Sequence, residues 1–216
     1  MRVILIFFLV VSLGVSGQTL NDVFLALPDG SVGATVDERL VLLNNYNQQK
    51  NNAENGVGPT HVYIKEFDPK NNFLMLAGDY AGATTLKYWA RSNKEFIIGL
   101  ETRTCPLECD SHLRFWSMRN NLLTEIERDR LIPAIRFEDF FNAPKMVADG
   151  QDVKGYESKF SASHLLYILP KSGSTLVIKS QFHLQQLDDV LINYNRGSRI
   201  ELVWQNGSFR RGKQMK

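Results

Sequence analysis

Apolar and polar residues alternate with a period of two through the middle of the chain. Between Thr84 and Arg91, Leu86, Tyr88 and Ala90 fall on one side while Lys87, Trp89 and Arg91 fall on the other; between Lys94 and Thr102, Phe96, Ile98 and Leu100 share a side. Such alternation predicts strands with two distinct faces. Turn signals join them into hairpins. Asp68-Pro69-Lys70-Asn71 separates the β-rich runs His61 to Phe67 and Asn72 to Gly78, and Ser92-Asn93 separates the next two. Leu113 to Met118 predicts a fifth strand.

Ahead of these strands the pattern changes to helical spacing. Thr19 with Asp22, and Thr35 with Glu38, fit the capping pattern in which a hydroxyl accepts a free amide of the first turn. The first helix, Leu20 to Leu27, is stopped by Pro28-Asp29-Gly30, and the second carries Val36, Leu40, Leu43 and Tyr46 on one face. Asn51 to Pro59 has the composition of a loop. Hairpin-connected antiparallel strands need a cover on one face, and the two helices are the obvious cover.

A second cycle follows Asn120. Phe137 to Phe141 predicts a helix ending before Pro144, and the polar, glycine-containing stretch Met146 to Ser158 predicts a linker or mobile loop. Leu165 to Leu169 and Thr175 to Gln181 flank Pro170-Lys171-Ser172-Gly173-Ser174; Leu184, Leu187, Val190 and Leu191 give a short amphipathic helix. Arg199 to Gln205 pairs with Phe209 to Arg211 through Asn206-Gly207, a strong hairpin signal. The expected class is therefore α+β, with helices packed on antiparallel sheets in two helix-plus-hairpin units, residues 18–120 and 121–216, closely packed. No residue-level repeat joins the halves.

The first seventeen residues do not belong to that fold. Arg2 precedes an unbroken apolar run, Val3 to Val11, and Val15-Ser16-Gly17 places small or modest side chains before Gln18, which reads as a cleavable signal peptide over residues 1–17. A spanning helix needs about 20 apolar residues, and this run is polar by Gln18. The expected mature protein is exported, periplasmic or extracellular, with no integral membrane segment after processing. With 44% hydrophobic and 22% charged residues it has ordinary globular proportions. Lys and Arg number 25 against 23 Asp and Glu, so no bulk field selects nucleic acid. Arg210, Arg211, Lys213 and Lys216 read as a solvated basic tail without interleaved aromatics to stack bases.

Thr104-Cys105-Pro106-Leu107-Glu108-Cys109-Asp110-Ser111-His112-Leu113-Arg114-Phe115-Trp116 and Phe24-Leu25-Ala26-Leu27-Pro28-Asp29 carry a resemblance. Together they resemble an uncharacterised family of secreted proteins from Bacteroidales-type bacteria, in which Leu-Pro-Asp follows a short first helix and a Cys-x-x-x-Cys-Asp-Ser segment leads into an aromatic strand. The later Phe140-Phe141 agrees, while Gly30 to Gln49 departs from the family's more leucine-rich version. The resemblance implies an exported α+β protein of bacterial envelope type and brings no catalytic residues.

In an oxidising compartment Cys105 and Cys109 read as a disulfide across a tight turn. A metal site would add Asp110 or His112, but a second ligand pair is missing; a redox role would favour C-x-x-C at a helix start. No catalytic constellation is visible: His61, His112, His164 and His183 are widely spaced, and nucleophile elbows, zinc motifs and phosphate loops are lacking. Glu138-Asp139 and Asp188-Asp189 read as solvated helix faces, and Asn206-Gly207-Ser208 is explained by its turn. Neither cofactor nor metal is expected.

Trp89 and Trp116, with His112 and Arg114 beside the latter, form the candidate binding residues; the reading preferred for the two tryptophans themselves is that they fill the core between halves. The leading expectation is a non-enzymatic binding module for an envelope protein, peptide or glycan. An exported hydrolase with a dispersed active site and a structural envelope component are the alternatives. A deep pocket with a perturbed histidine or carboxylate would favour the hydrolase, and a flat sheet bearing exposed tryptophan the binder.

Overall fold

The computed structural model describes residues 18–48, 56–57, 61–78, 82–92, 95–105, 109–182, 189–197 and 199–215. The signal-peptide reading, most of the Asn51 to Pro59 loop, Pro106, His183, Leu184, Leu187 and Lys216 lie outside them. Among the described residues no helix is long and apolar enough to cross a membrane.

Two antiparallel sheets organise the chain. Strands β1 (Tyr63–Asp68), β2 (Phe73–Ala77), β3 (Gly82–Ser92), β4 (Glu95–Thr104), β5 (Asp110–Arg119) and β6 (Leu122–Ile126) form a six-stranded meander in sequence order. Strands β7 (Leu165–Ile168), β8 (Thr175–Ser180), β9 (Arg199–Gln205) and β10 (Ser208–Met215) form a second, four-stranded meander. The α+β class is as the sequence predicts.

Helices α1 (Leu20–Ala26) and α2 (Val36–Asn47) start at capping boxes, Thr19 with Asp22 and Thr35 with Glu38. They cover one face of the large sheet. Val23, Phe24, Leu42 and Leu43 pack there against Leu86, Tyr88, Ile98 and Leu100. The opposite face, carrying Trp89, Ile97, Leu113 and Phe115, packs against Tyr167, Ile178, Leu202 and Phe209 of the small sheet. The alternation read from the sequence thus sorts residues into two separate cores, one on each side of β3–β5. Gly99, in the middle of β4, belongs to the second core: a Cβ there would stand 3.0 Å from the Trp89 ring and 3.2 Å from Phe115. The indole lies on bare backbone, which is what mid-strand glycine permits.

The structure changes several expectations. A sixth strand that the sequence reading does not include, β6, pairs with β5, so the large sheet runs through Ile126. Its turn is Asn120-Asn121, both at positive φ, as a tight hairpin requires. Phe137–Asp139 forms only a 3₁₀ turn. The helix lies beyond it, as α3 (Ala143–Ala148), where Asn142 caps the first turn and Pro144 occupies a position whose missing N–H costs nothing. The expected linker is instead the end of α3 and α4 (Val153–Lys159), with Met146 and Val153 buried. A last short helix, α5 (Asp189–Ile192), precedes β9. The basic end is no tail as far as Met215: it is β10, and Arg211 grips Asp139 and donates to the Ala134 carbonyl at 2.6 Å.

Candidate functional site

Both candidate tryptophans are buried. Trp89 is 4% exposed, stacked on Trp204 with centroids 5.6 Å apart and edge-on to Phe209 at 5.1 Å. Trp116 is 2% exposed in the helix-side core. Because residues 89 and 116 sit on opposite faces and each face has its own cover, no ligand reaches either ring. Only Trp89 fills the core between the two sheets; Trp116 fills the other.

His112 and Arg114 do reach the surface. His112 Nε2 lies 3.1 Å from Asp110 Oδ2, and Arg114 is held by Glu125 at 2.9 Å with its guanidinium 4.8 Å from the Trp116 ring centre. Both belong to β5, which β6 accompanies only from Phe115 to Arg119. Among the described residues no strand therefore pairs with Asp110–Arg114 on that side, although β7 packs close by, with the Tyr167 N–H on Ser111. A hollow of about 310 Å³ runs there, lined by Ser111, His112, Leu113 and Arg114, with Arg128, Ala162 and Ser163 opposite. Consecutive strand residues point to alternate faces, so a cavity touching all four must lie along the edge of the strand. Arg128 and Ala162 also line an adjoining recess of about 330 Å³, whose walls include Ile132, Ile135, Phe160 and Leu165. Arg128 Nη1 donates to Tyr167 Oη at 2.9 Å, which fixes the guanidinium between slot and recess.

A buried polar ring sets the position of this slot. Glu101, 1% exposed, accepts from Ser111 Oγ at 2.8 Å and from Arg103 Nε at 2.9 Å. Ser111 Oγ accepts in turn from the Tyr167 N–H at 3.2 Å, and Arg103 Nη2 donates to the Tyr167 carbonyl at 2.7 Å. Tyr167 lies on β7, an edge strand of the small sheet, and these side chains satisfy main-chain groups that a strand neighbour would otherwise take. Burial pushes the Glu101 carboxyl above its ordinary range, against the opposing pull of Arg103 and its hydrogen bonds. Burial likewise raises the Tyr167 phenol, against Arg128.

At the head of β5 the Cys105 and Cys109 sulfurs are joined, so this pair supplies no thiolate to a metal. Gln181 Nε2 donates to the Cys109 carbonyl at 2.8 Å and ties the loop to the small sheet. A loop this short contributes only about 2 kcal/mol by restricting the unfolded chain. Changing Cys105 and Cys109 together to Ser should leave the protein folded, with a loss of about 2 kcal/mol or less in denaturant melts and faster amide exchange confined to the start of β5. Global unfolding of that double variant would show that the bond holds the fold.

Other histidines and cavities offer less. His164 Nδ1 accepts from the Ser161 N–H at 3.0 Å while its ring packs against Phe160 and Phe182, the work of a turn cap. Glu101, the carboxyl raised by burial, lines neither the slot nor the recess. A third hollow of about 360 Å³ lies beside Gly30–Gly33 at the ends of β2–β4, and its one charged side chain, Arg103, is committed to Glu101 and Tyr167. Among the described residues no three His, Cys, Asp or Glu side chains cluster to hold a metal.

Fold and site together define a layered α+β protein: two capped helices, a six-stranded sheet, a four-stranded sheet, and a slot on the open half of β5. A solved structure of a domain of an uncharacterized protein from Porphyromonas gingivalis W83 shares this architecture, with a TM-score of 0.65 and 20% identity over 90% of this chain and 98% of that one. That neighbour is a Bacteroidales protein, in keeping with the resemblance, and at this identity the likeness carries the fold alone. No family model matches the chain, and no curated protein does.

Proposed function

We propose that this protein is an exported, non-enzymatic binding module, acting in the periplasm or outside the cell, whose contact site is the slot beside β5. The observation that supports the reading most is the open strand edge at Asp110–Arg114, enclosed on its far side by Arg128, Ala162 and Ser163. Open edges invite pairing with another chain, and proteins ordinarily cover or blunt them. Here the edge is walled into a slot, which favours a bounded ligand over indiscriminate association.

Ala162 is exposed and borders both slot and recess, so Ala162→Trp should fill the site without touching either core. Mature protein recovered from the exported fraction should begin at or near Gln18. Immobilised wild type should retain an envelope ligand that the equally folded Ala162→Trp protein loses. Equal retention by the two would refute the slot, and an N-terminus at Met1 in that fraction would refute export.

One observation favours the hydrolase alternative: His112, beside Asp110, and Ser163 line the same slot. Ser163 Oγ, however, lies 2.7 Å from Ser161 Oγ, and the His112 side chain is 71% exposed. Ester hydrolysis by the purified protein that disappears in His112→Ala would favour that reading.

A further inference from the structure

We propose that the ligand of the slot is an extended peptide segment, acidic at alternate positions, that joins the large sheet as a strand beside Asp110–Arg114; this rests on the binding-module reading. Three observations carry it. First, β6 leaves β5 at Ile126, opposite Phe115, and the chain then turns into the 3₁₀ segment Arg128–Arg130. An added strand would therefore lie end to end with β6, on the same line of the sheet. What a strand edge presents is a row of main-chain N–H and C=O groups, and their natural complement is another main chain in extended form. A glycan would instead call for an aromatic platform, and Trp89 and Trp116 are buried.

Second, the charged side chains of the slot lining are Arg114 and Arg128, with the His112 imidazole beside them. Each has a carboxylate partner, Glu125 on Arg114, Asp110 on His112 and Asp129 on Arg128 at 3.4 Å, but all three carboxylates stand outside that lining and Asp129 borders the recess. A ligand in the slot thus meets the guanidinium groups ahead of the carboxylates that pair with them. Since alternate residues of an added strand point the same way, carboxylates at every second position reach one wall together. Third, the recess that shares Arg128 and Ala162 offers Ile132, Ile135, Phe160 and Leu165 to an apolar side chain at the end of the segment. Main-chain pairing supplies affinity in such a complex, and the flanking pockets supply selection.

The probe is a fluorescein-labelled seven-residue peptide of alternating Glu and Val, blocked at both ends, titrated with mature protein and followed by anisotropy. Controls are the Lys and Val peptide of the same pattern and a Glu and Val peptide N-methylated at alternate residues, which keeps the charge but removes donors along one edge. The acidic peptide should bind. Binding should fall at least about tenfold for the lysine peptide, for the N-methylated peptide and for the Arg128→Glu protein, each loss corresponding to one or two hydrogen bonds or a reversed contact charge. Equal binding of the acidic peptide with and without N-methylation would overturn strand addition, and equal binding of the lysine peptide would overturn the acidic preference. If no peptide binds while envelope extract still yields a glycan retained by wild type and lost by Ala162→Trp, the peptide inference falls and the binding-module reading stands. If Ala162→Trp retains the extract ligand unchanged, that reading falls by its own test.

Discussion

Replacing Glu101 with alanine is expected to destabilise the protein by about 2–4 kcal/mol, because it strips the acceptor from two donors in the buried ring that joins the sheets. Ser111 and Arg103 would lose their shared partner, and with it the geometry that satisfies the Tyr167 N–H and carbonyl. Glu101→Gln should cost less, since an amide oxygen still accepts from Ser111. The two variants also separate in pH. Burial raises the folded-state carboxyl above the ordinary 4.5, so the folded protein holds this proton more tightly than the unfolded chain. Glu101 therefore contributes most at acid pH, and its contribution falls as pH rises from the ordinary value through the raised one. Chemical denaturation across that range should show this slope in wild type and lose it in Glu101→Gln. A Glu101→Ala protein as stable as wild type would mean that the ring does not join the sheets.

Arg39 carries the second large effect. Its guanidinium is fully buried and donates to the carbonyls of Leu27 at 2.8 Å, Pro28 at 3.3 Å and Leu25 at 3.4 Å, and to Asp29 at 3.3 Å. It closes the C-terminal end of α1, where the last carbonyls of a helix lack partners within the helix. Asp29 also accepts from the Val36 N–H, so the Leu27-Pro28-Asp29 block joins both helices. Arg39→Met keeps the length and takes this donor from the Leu27 and Leu25 carbonyls, while Pro28 keeps the Ser31 N–H and hydroxyl; the change should cost about 2–4 kcal/mol in a denaturant melt. Arg39→Lys should recover only part of this, because one ammonium cannot span the fork. A melt unchanged in Arg39→Met would remove the residue from the account.

Much of this fold was legible because alternation and capping are local. Thr19, Thr35 and the faces of β3 and β4 follow from neighbours a few residues away. The cover of each face is a different matter: Trp89 and Trp116 differ in parity, which reveals opposite faces, while what packs on each depends on segments far along the chain. That both tryptophans are core residues was therefore legible, whereas the separate core that each one fills was not. Pro144 misled in another way, since proline ends a helix from within and opens one from its first turn. Strand β6 had a signal in Asn120-Asn121, two residues that tolerate positive φ. Arg114 fell within the expected fifth strand and His112 just ahead of it, while β5 itself begins at Asp110. Their partners across the slot, Arg128, Ala162 and Ser163, had no motif to betray them, because an open edge is a property of where β6 stops.

Amide hydrogen exchange along β5 tests the open edge most directly. In the free mature protein, outward-facing amides among Asp110–Arg114 should exchange rapidly while those of Phe115–Arg119, paired on both sides, are protected. Adding the alternating Glu and Val peptide should slow exchange at Asp110–Arg114 and leave Phe115–Arg119 unchanged. Uniform protection of Asp110–Arg119 in the free protein, or slowing confined to a part of the molecule away from β5, would contradict the slot as the binding site.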